Sequence, residues 1–407
     1  MRRYRIWLLF CPVFTLATNL CAQGEQQLSA KVNLGYSPNI ETYFIAEKLA
    51  VQHINTFVFD QKDSLYAHQP LVYFAYQHFK KYQDTPCILR IAQLLASLRD
   101  SYHDNAEILQ FLLSKRPFPS AGDRYPFADS SIFKPAQFPL AITMVEELTD
   151  SLRSFYRFAH VGEFFQQHRS FYEGALREAR KDINVNIFPY MEKYYGEKFY
   201  KYTIYIMPLM PITYGDDNYR AFGPTIHLPQ GRVSTMVFSS SRMLSLKPSL
   251  KDYKKYGFDN PEVTHLLTVH EIGHSFVNPH VMALQKEIEH DTALFTPALR
   301  RVMEPNYIES WWVCVVEHLV RLGEIRVALA MHNKPEATRL RNLHIKQFGF
   351  ILLPLLEQKI EYYEANRDKY PDFQSFLPEI FSLFHSLKPE QIDDLVNQSV
   401  KMNQATK

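Results

Sequence analysis

Residues 260–279 read NPEVTHLLTVHEIGHSFVNP. Val263, Leu266, His270, Gly273, His274 and Val277 recur at intervals of three and four, which predicts one inward face of a helix. Asn260 can cap that helix, and Pro261 suits its first turn. Asn278-Pro279 is the expected stop, one turn after His274, leaving the open side of the stripe free. Inside the stretch lies HEIGH, an H-E-x-x-H pattern. On a helix, His270 and His274 stand one turn apart on the same face, where two imidazoles can bind one Zn²⁺. Glu271 is rotated to the side, placed to hold and deprotonate a water at the metal. Gly273 costs roughly 1 kcal/mol against Ala in a helix. It is expected where something approaches the helix closely between the two histidines. The competing reading is a pair of core histidines, each satisfied by hydrogen bonds.

A catalytic zinc site takes a third protein ligand and keeps one position open. Glu317, in ESWWVCVVEHLVRLGEIR (309–326), interrupts the apolar run Trp311–Val316, and a lone carboxylate there is costly unless paired or bound to a metal. It is the expected third ligand. The alternative is an ordinary i,i+4 pair with Arg321. Glu309 and Glu324 share much of that helical face and come next. His280 is the alternative if the third ligand is imidazole. The metzincin continuation is absent, since HSFVNPH does not match it. Peptide cleavage also needs an electrophile for the oxyanion, and Tyr214, Tyr219, Tyr307 and His280 are candidates.

Working outward, FYKYTIYIM (199–207) and RVSTMVFSS (232–240) read as strands, joined by the turn-rich PITYGDDNYRAFGPTIHLPQG. They predict a small sheet just before residue 260. Residues 40–115 and 140–195 carry helical periodicity. The Pro/Phe-rich segment 115–139 between them reads as a surface loop or strap. Helices are expected again from about Glu304-Pro305 to Asn333 and from Lys334 to the end. The fold class is therefore α+β, mostly α. Its expected organisation is an N-terminal helical region (23–195), a catalytic unit (196–333) and a C-terminal helical extension (334–407).

The chain begins MRRYR, IWLLFCPVFTLATNL, CAQGEQ. A cationic stub, a short apolar run and a small residue make residues 1–22 a secretory signal, cut after Ala22. A buried helix, or a lipoprotein acylated at Cys21, are the alternatives. The expected location is periplasmic or secreted. No second apolar run is long enough to span a membrane. The 407 residues carry 45 Lys+Arg and 43 Asp+Glu. Without Arg2, Arg3 and Arg5 the balance is 42 against 43. No basic field advertises nucleic acid. Four Cys exclude a disulfide scaffold. Cys11 and Cys21 leave with the signal, and Cys314 is expected to be a buried free thiol.

With HEIGH on a helix and Glu317 on a later one, the chain resembles the zincin metallopeptidases of gluzincin type over about residues 200–326. HEIGHSFVNP, WWVCVVEHLVRL and the early SPNIETYFIAEKLA are also similar to a group of secreted bacterial proteins, the domain of unknown function 4932 family. That family name carries no established activity. The resemblance implies a zincin fold with His270 and His274 as zinc ligands, Glu271 as base and Glu317 as third ligand. The thermolysin-like N-E-x-x-S-D pattern is not present.

The expected function is thus a secreted zinc-dependent metallohydrolase acting on peptide or protein substrates. Another bond, for instance in the bacterial cell wall, is not separated from this by the sequence. A rival is a non-catalytic extracytoplasmic protein that binds a peptide or glycan through exposed aromatics, with its metal site inactive or structural. Two features separate these readings. An exposed stripe of Tyr and Phe within 40–140 would favour the binder, and a fourth protein ligand would favour a structural metal.

Overall fold

The computed structural model describes residues 25–54, 66–100, 105–126, 140–214 and 218–405. The expected signal at 1–22 and the stretch 127–139 of the Pro/Phe-rich segment lie outside these residues.

Among them a sheet of six strands forms: β1 (Gln26–Gln27), β2 (Val32–Gly35), β3 (Lys201–Ile206), β4 (Ala221–Phe222), β5 (Thr225–Leu228) and β6 (Gly231–Phe238). The two strands read from the sequence are its centre. β3 and β6 run parallel, with Lys201 opposite Val233 and Ile206 opposite Phe238. β2 joins β3 in parallel, Val32 opposite Tyr202. β1 pairs β2, and β4 and β5 pair β6, all antiparallel. The sheet therefore draws strands from both sides of residue 196. The four residues of β2 are too short to declare themselves by alternation.

Alternation along the central strands sends side chains to two cores. Tyr202, Ile204, Ile206, Met236 and Phe238 face one core, and Tyr205, Val233 and Val237 the other. Helices cover both faces. On the Tyr205 side pack α1 (Pro38–Ala50), α2 (Pro70–Phe79), α3 (Pro86–Asp100), α4 (Asn105–Ser114), α5 (Ala141–Phe158) and α6 (Val161–Gln167). α7 (Arg169–Asp182) serves both cores, with Phe171 and Tyr172 on one side and Ala175 and Ala179 on the other. α1 is SPNIETYFIAEKLA folded: Ser37 caps it through the Ile40 amide, and nearly every residue is buried.

The opposite layer holds α8 (Ile187–Tyr195), α9 (Pro261–Met282), α10 (Gln285–His290), α11 (Pro297–Met303) and α12 (Trp311–Ala330). It continues with α13 (Lys334–Arg341), α14 (Leu353–Ala365), α15 (Phe373–Ser386) and α16 (Pro389–Ala405). The protein is α+β and mostly α. None of its described helices is long and apolar enough to cross a membrane.

Three local expectations change. The helix carrying HEIGH does not stop at Asn278-Pro279. It runs through Pro279 to Met282, and Ala283 N–H donates to the Pro279 carbonyl. Asn260 stands at its N-terminus without accepting a hydrogen bond from the helix's first amides; its Oδ1 instead accepts from Arg242, 3.3 Å away. The helix carrying Glu317 begins at Trp311 and not near Glu304. Residues Glu304–Asn306 form a separate 3₁₀ turn, Tyr307 takes a left-handed conformation (φ 59°), and Ser310 caps the new helix at the Val313 amide.

Candidate metal centre

α9 and α12 pack against each other beneath the sheet. α9 is fastened to it at Ser275, one residue past His274. Ser275 Oγ lies 2.8 Å from Thr225 Oγ1 on β5 and 2.7 Å from Ser234 Oγ on β6. The link between β4 and β5 rests directly on the helix. A Cβ at Gly223 would lie 2.1 Å from the Glu271 carbonyl oxygen, so only glycine fits there.

His270, His274 and Glu317 converge, with one ligand atom from each inside a 4.8 Å group. The two Nε2 atoms are 3.3 Å apart. Glu317 Oε2 is 3.7 Å from His270 Nε2, and its Oε1 is 3.5 Å from His274 Nε2. Two bonds of about 2.05 Å to a tetrahedral ion put the donors about 3.3–3.4 Å apart, so the two imidazoles match one Zn²⁺ and the carboxylate stands just beyond that separation from each.

The hydrogen bonds behind the rings set their tautomers. His270 Nδ1 donates to Glu324 Oε1 at 2.9 Å, and His274 Nδ1 donates to Asn278 Oδ1 at 3.1 Å. Both acceptors take a proton and offer none, so in the neutral rings both Nε2 lone pairs point into one space. That juxtaposition calls for a cation, either a proton or a metal. Among the described residues no fourth His, Cys, Asp or Glu joins this group, so a tetrahedral ion would keep one position open.

The charges are tuned by burial and by these partners. Burial drives the His274 imidazole down to about 4. Burial also opposes a proton on His270, but the bond to Glu324 and the nearby Glu317 outweigh it, and its affinity for a proton rises. Burial resists ionisation of Glu317, yet Arg321, His274 and His270 hold its carboxylate down to about 2. Glu271 is buried on the same helix, and burial, helped by the charge of Glu317, pushes its carboxyl up to about 7 despite His270. A carboxyl tuned to neutrality is suited to exchanging protons at neutral pH.

The three ligand residues read from the sequence are therefore brought together, with Glu271 beside them. Glu317 also makes the i,i+4 pair with Arg321 that is the alternative reading of that position. Glu324 lies outside that group and accepts from His270. Its second oxygen accepts from His344 Nε2 at 2.8 Å. Glu309 is exposed. His280 is bound to Glu197, 3.0 Å away, and is not in the group.

Of the oxyanion candidates, Tyr214 and Tyr307 are 71% and 82% exposed, and Tyr219 is half-buried against the α9 core. The cation that does reach the site is Arg321. It lies over the Phe350 ring at 4.0 Å, and its buried Nε–H has no acceptor. Its signal in the sequence was the i+4 spacing from Glu317. Glu324 stood out only as a carboxylate on the helical face of Glu317, and Asn278 and His344 had no comparable signal, because their roles depend on which helices meet.

The close approach expected at Gly273 is made by α12. A Cβ there would meet Val320 of α12 at 3.2 Å and Tyr195 Oη at 3.7 Å. Cys314 is a buried free thiol as expected, and Cys87 is also free. No described Tyr or Phe of residues 40–140 is an exposed large hydrophobic, so an exposed aromatic stripe is absent from that described stretch.

A family model described as "Domain of unknown function (DUF4932)" matches residues 137–383, which include every residue of this centre. No curated protein and no solved structure matches the chain.

Proposed function

The chain belongs to the family of that domain of unknown function, DUF4932, and from this premise we propose that it is an exported zinc-dependent hydrolase that cleaves peptide bonds. The observation that carries the reading is the meeting of two Nε2 lone pairs and the Glu317 carboxylate at or just beyond tetrahedral separations, with Glu271 buried beside them. His270, His274 and Glu317 would hold the Zn²⁺. When bound, the ion supplies Lewis-acid polarisation of water and of a scissile carbonyl.

The chain's own residues supply the rest. Glu271, tuned to about 7, accepts a proton from the attacking water at its carboxylate and returns it to the leaving amine. Glu324 and Asn278 fix both imidazoles with Nε2 inward. Arg321 holds Glu317 ionised. The open fourth position among the described residues favours catalysis over a structural metal.

The test measures zinc on the purified protein and compares wild type with Glu271→Ala on a peptide library. About one equivalent of zinc at this centre, with cleavage lost in Glu271→Ala while that zinc is kept, is expected. A wild type without zinc, or undiminished cleavage by Glu271→Ala, overturns it.

A further inference from the structure

Glu324 can hold His270 in place only if Glu324 is itself held. Its side chain borders a cavity of about 70 Å³, lined also by Leu266, Val269, Val327 and Leu340. Packing does not close around it on that side, so its position depends on hydrogen bonds. One oxygen accepts from His270 Nδ1 at 2.9 Å, and the other accepts from His344 Nε2 at 2.8 Å. Without His344 the second oxygen is a buried acceptor with no donor. The carboxylate is then free to turn toward the cavity and away from His270.

His344 comes from the C-terminal layer. It lies in the π-helical turn Asn342–Gln347 that continues α13. Ala337, Leu340 and His344 are all buried, at spacings of three and four, and α13 packs on α12. His344 is the one polar member of that stripe. Its ring lies beside those of Phe348 and Phe350, and the Phe350 N–H donates to its carbonyl at 2.9 Å. With Nε2 donating to Glu324, the neutral ring carries its lone pair on Nδ1. That Nδ1 is buried and has no hydrogen-bond partner, which is costly. A leucine would fill the stripe without this cost. Packing alone therefore does not account for a histidine here, whereas the bond to Glu324 does.

We propose that His344 is a positioning residue of the metal centre: through Glu324 it holds the His270 ring with Nε2 toward the ligand group, so that the C-terminal layer forms part of the centre. The proposal rests on the zinc reading above, and its test reads metal affinity and ring orientation, not cleavage.

Zn²⁺ affinity is measured on the full chain as wild type, His344→Leu, His344→Gln, Glu324→Gln and the double variant His344→Leu/Glu324→Gln. His344→Leu removes the donor and should weaken zinc binding ~10-fold. His344→Gln puts an amide N–H where Nε2 stood and should restore most of that loss. Because His344 acts through Glu324, the losses of His344→Leu and Glu324→Gln should not add in the double variant. Unchanged affinity in His344→Leu overturns the proposal. So does a loss in His344→Gln equal to that in His344→Leu, or a double variant in which the two losses add. If His344→Leu does not fold, His344→Asn, whose amide stands where Nδ1 was, removes the same donor and takes its place. If wild type binds no zinc, the zinc reading falls and the His270 Nδ1–H resonance of the metal-free chain decides. Its loss in His344→Leu and survival in His344→Gln would uphold the positioning role, and its survival in both would overturn it.

Discussion

Glu41 on α1 and Glu317 on α12 are both carboxylates placed inside helical layers, one on each side of the sheet. Burial raises the cost of ionising either. Glu41 has only neutral partners, the Tyr172 hydroxyl and the Leu209 amide at 3.3 Å, and burial pushes its carboxyl up to about 8. Glu317 faces Arg321 and two imidazoles, and they bring it to about 2 against the same burial. One acid is kept protonated at neutral pH and the other ionised. The difference lies in the neighbours. A buried carboxylate can be neutralised by its own proton or by cations, and only the second arrangement leaves it able to hold a metal.

The comparison breaks most visibly at Glu317. Glu317→Gln keeps the shape and an acceptor for Arg321 but removes the charge and a ligand oxygen. Zinc affinity should fall by more than the ~10–100-fold that loss of a supporting partner costs. Metal titration checks this. Unchanged affinity would mean that the carboxylate is only the partner of Arg321.

Glu41→Gln probes the other half. The folded chain holds a proton on Glu41 up to about pH 8, whereas the unfolded chain releases it near 4.5. Its contribution is fully present below 4.5 and is lost as pH rises through about 8, at up to about 1.4 kcal/mol per pH unit. Gln mimics the protonated form, since its oxygen can accept from Leu209 and its amide can donate to Tyr172. The stability of the variant relative to wild type should therefore rise steadily from pH 5 to 8 in denaturant unfolding. A constant difference would show that Glu41 is ionised in the fold, as Glu317 is.

Glu324→Gln sharpens the contrast within the centre. Glu324 accepts from His270 and His344, and those bonds and charges hold it ionised and well below the usual carboxylate range despite burial. The amide has one acceptor oxygen for two ring donors, so one imidazole loses its orientation. Zinc affinity should fall ~10–100-fold, less than for Glu317→Gln. An equal or greater loss would make Glu324 more than a support for His270.

The sequence made HEIGH, the central strands and Glu317 legible for a common reason. Each breaks or follows a local pattern: H-E-x-x-H on a helical period, β-branched runs bounded by proline, a carboxylate in an apolar run. What escaped was set by distant partners. β2 is four residues long and exists as a strand because β3 pairs with it. Pro279 sits inside α9 because the chain beyond it continues to bond as a helix, to Met282. His344 is 74 residues from His270, yet it meets the same carboxylate, Glu324, at 2.8 Å. No local pattern encodes such meetings, and the same holds for Asn278, whose role appears only once His274 turns its Nδ1 toward it.

Gly273 is where a local rule gave the cause and left open the neighbour. Its helical cost suggested a close approach between the two histidines. The observed approach is by Val320, the Cγ1 of which would stand 3.2 Å from a Cβ at this position. That distance asks the valine to yield by a few tenths of an ångström, while alanine returns roughly 1 kcal/mol of helix propensity. The two effects oppose each other. Gly273→Ala should change stability by less than about 1 kcal/mol in either direction and leave zinc content intact. Thermal unfolding and metal analysis on one preparation test both parts. If stability holds while zinc is lost, the methyl intrudes on the metal side and not on α12. The glycine would then belong to the centre.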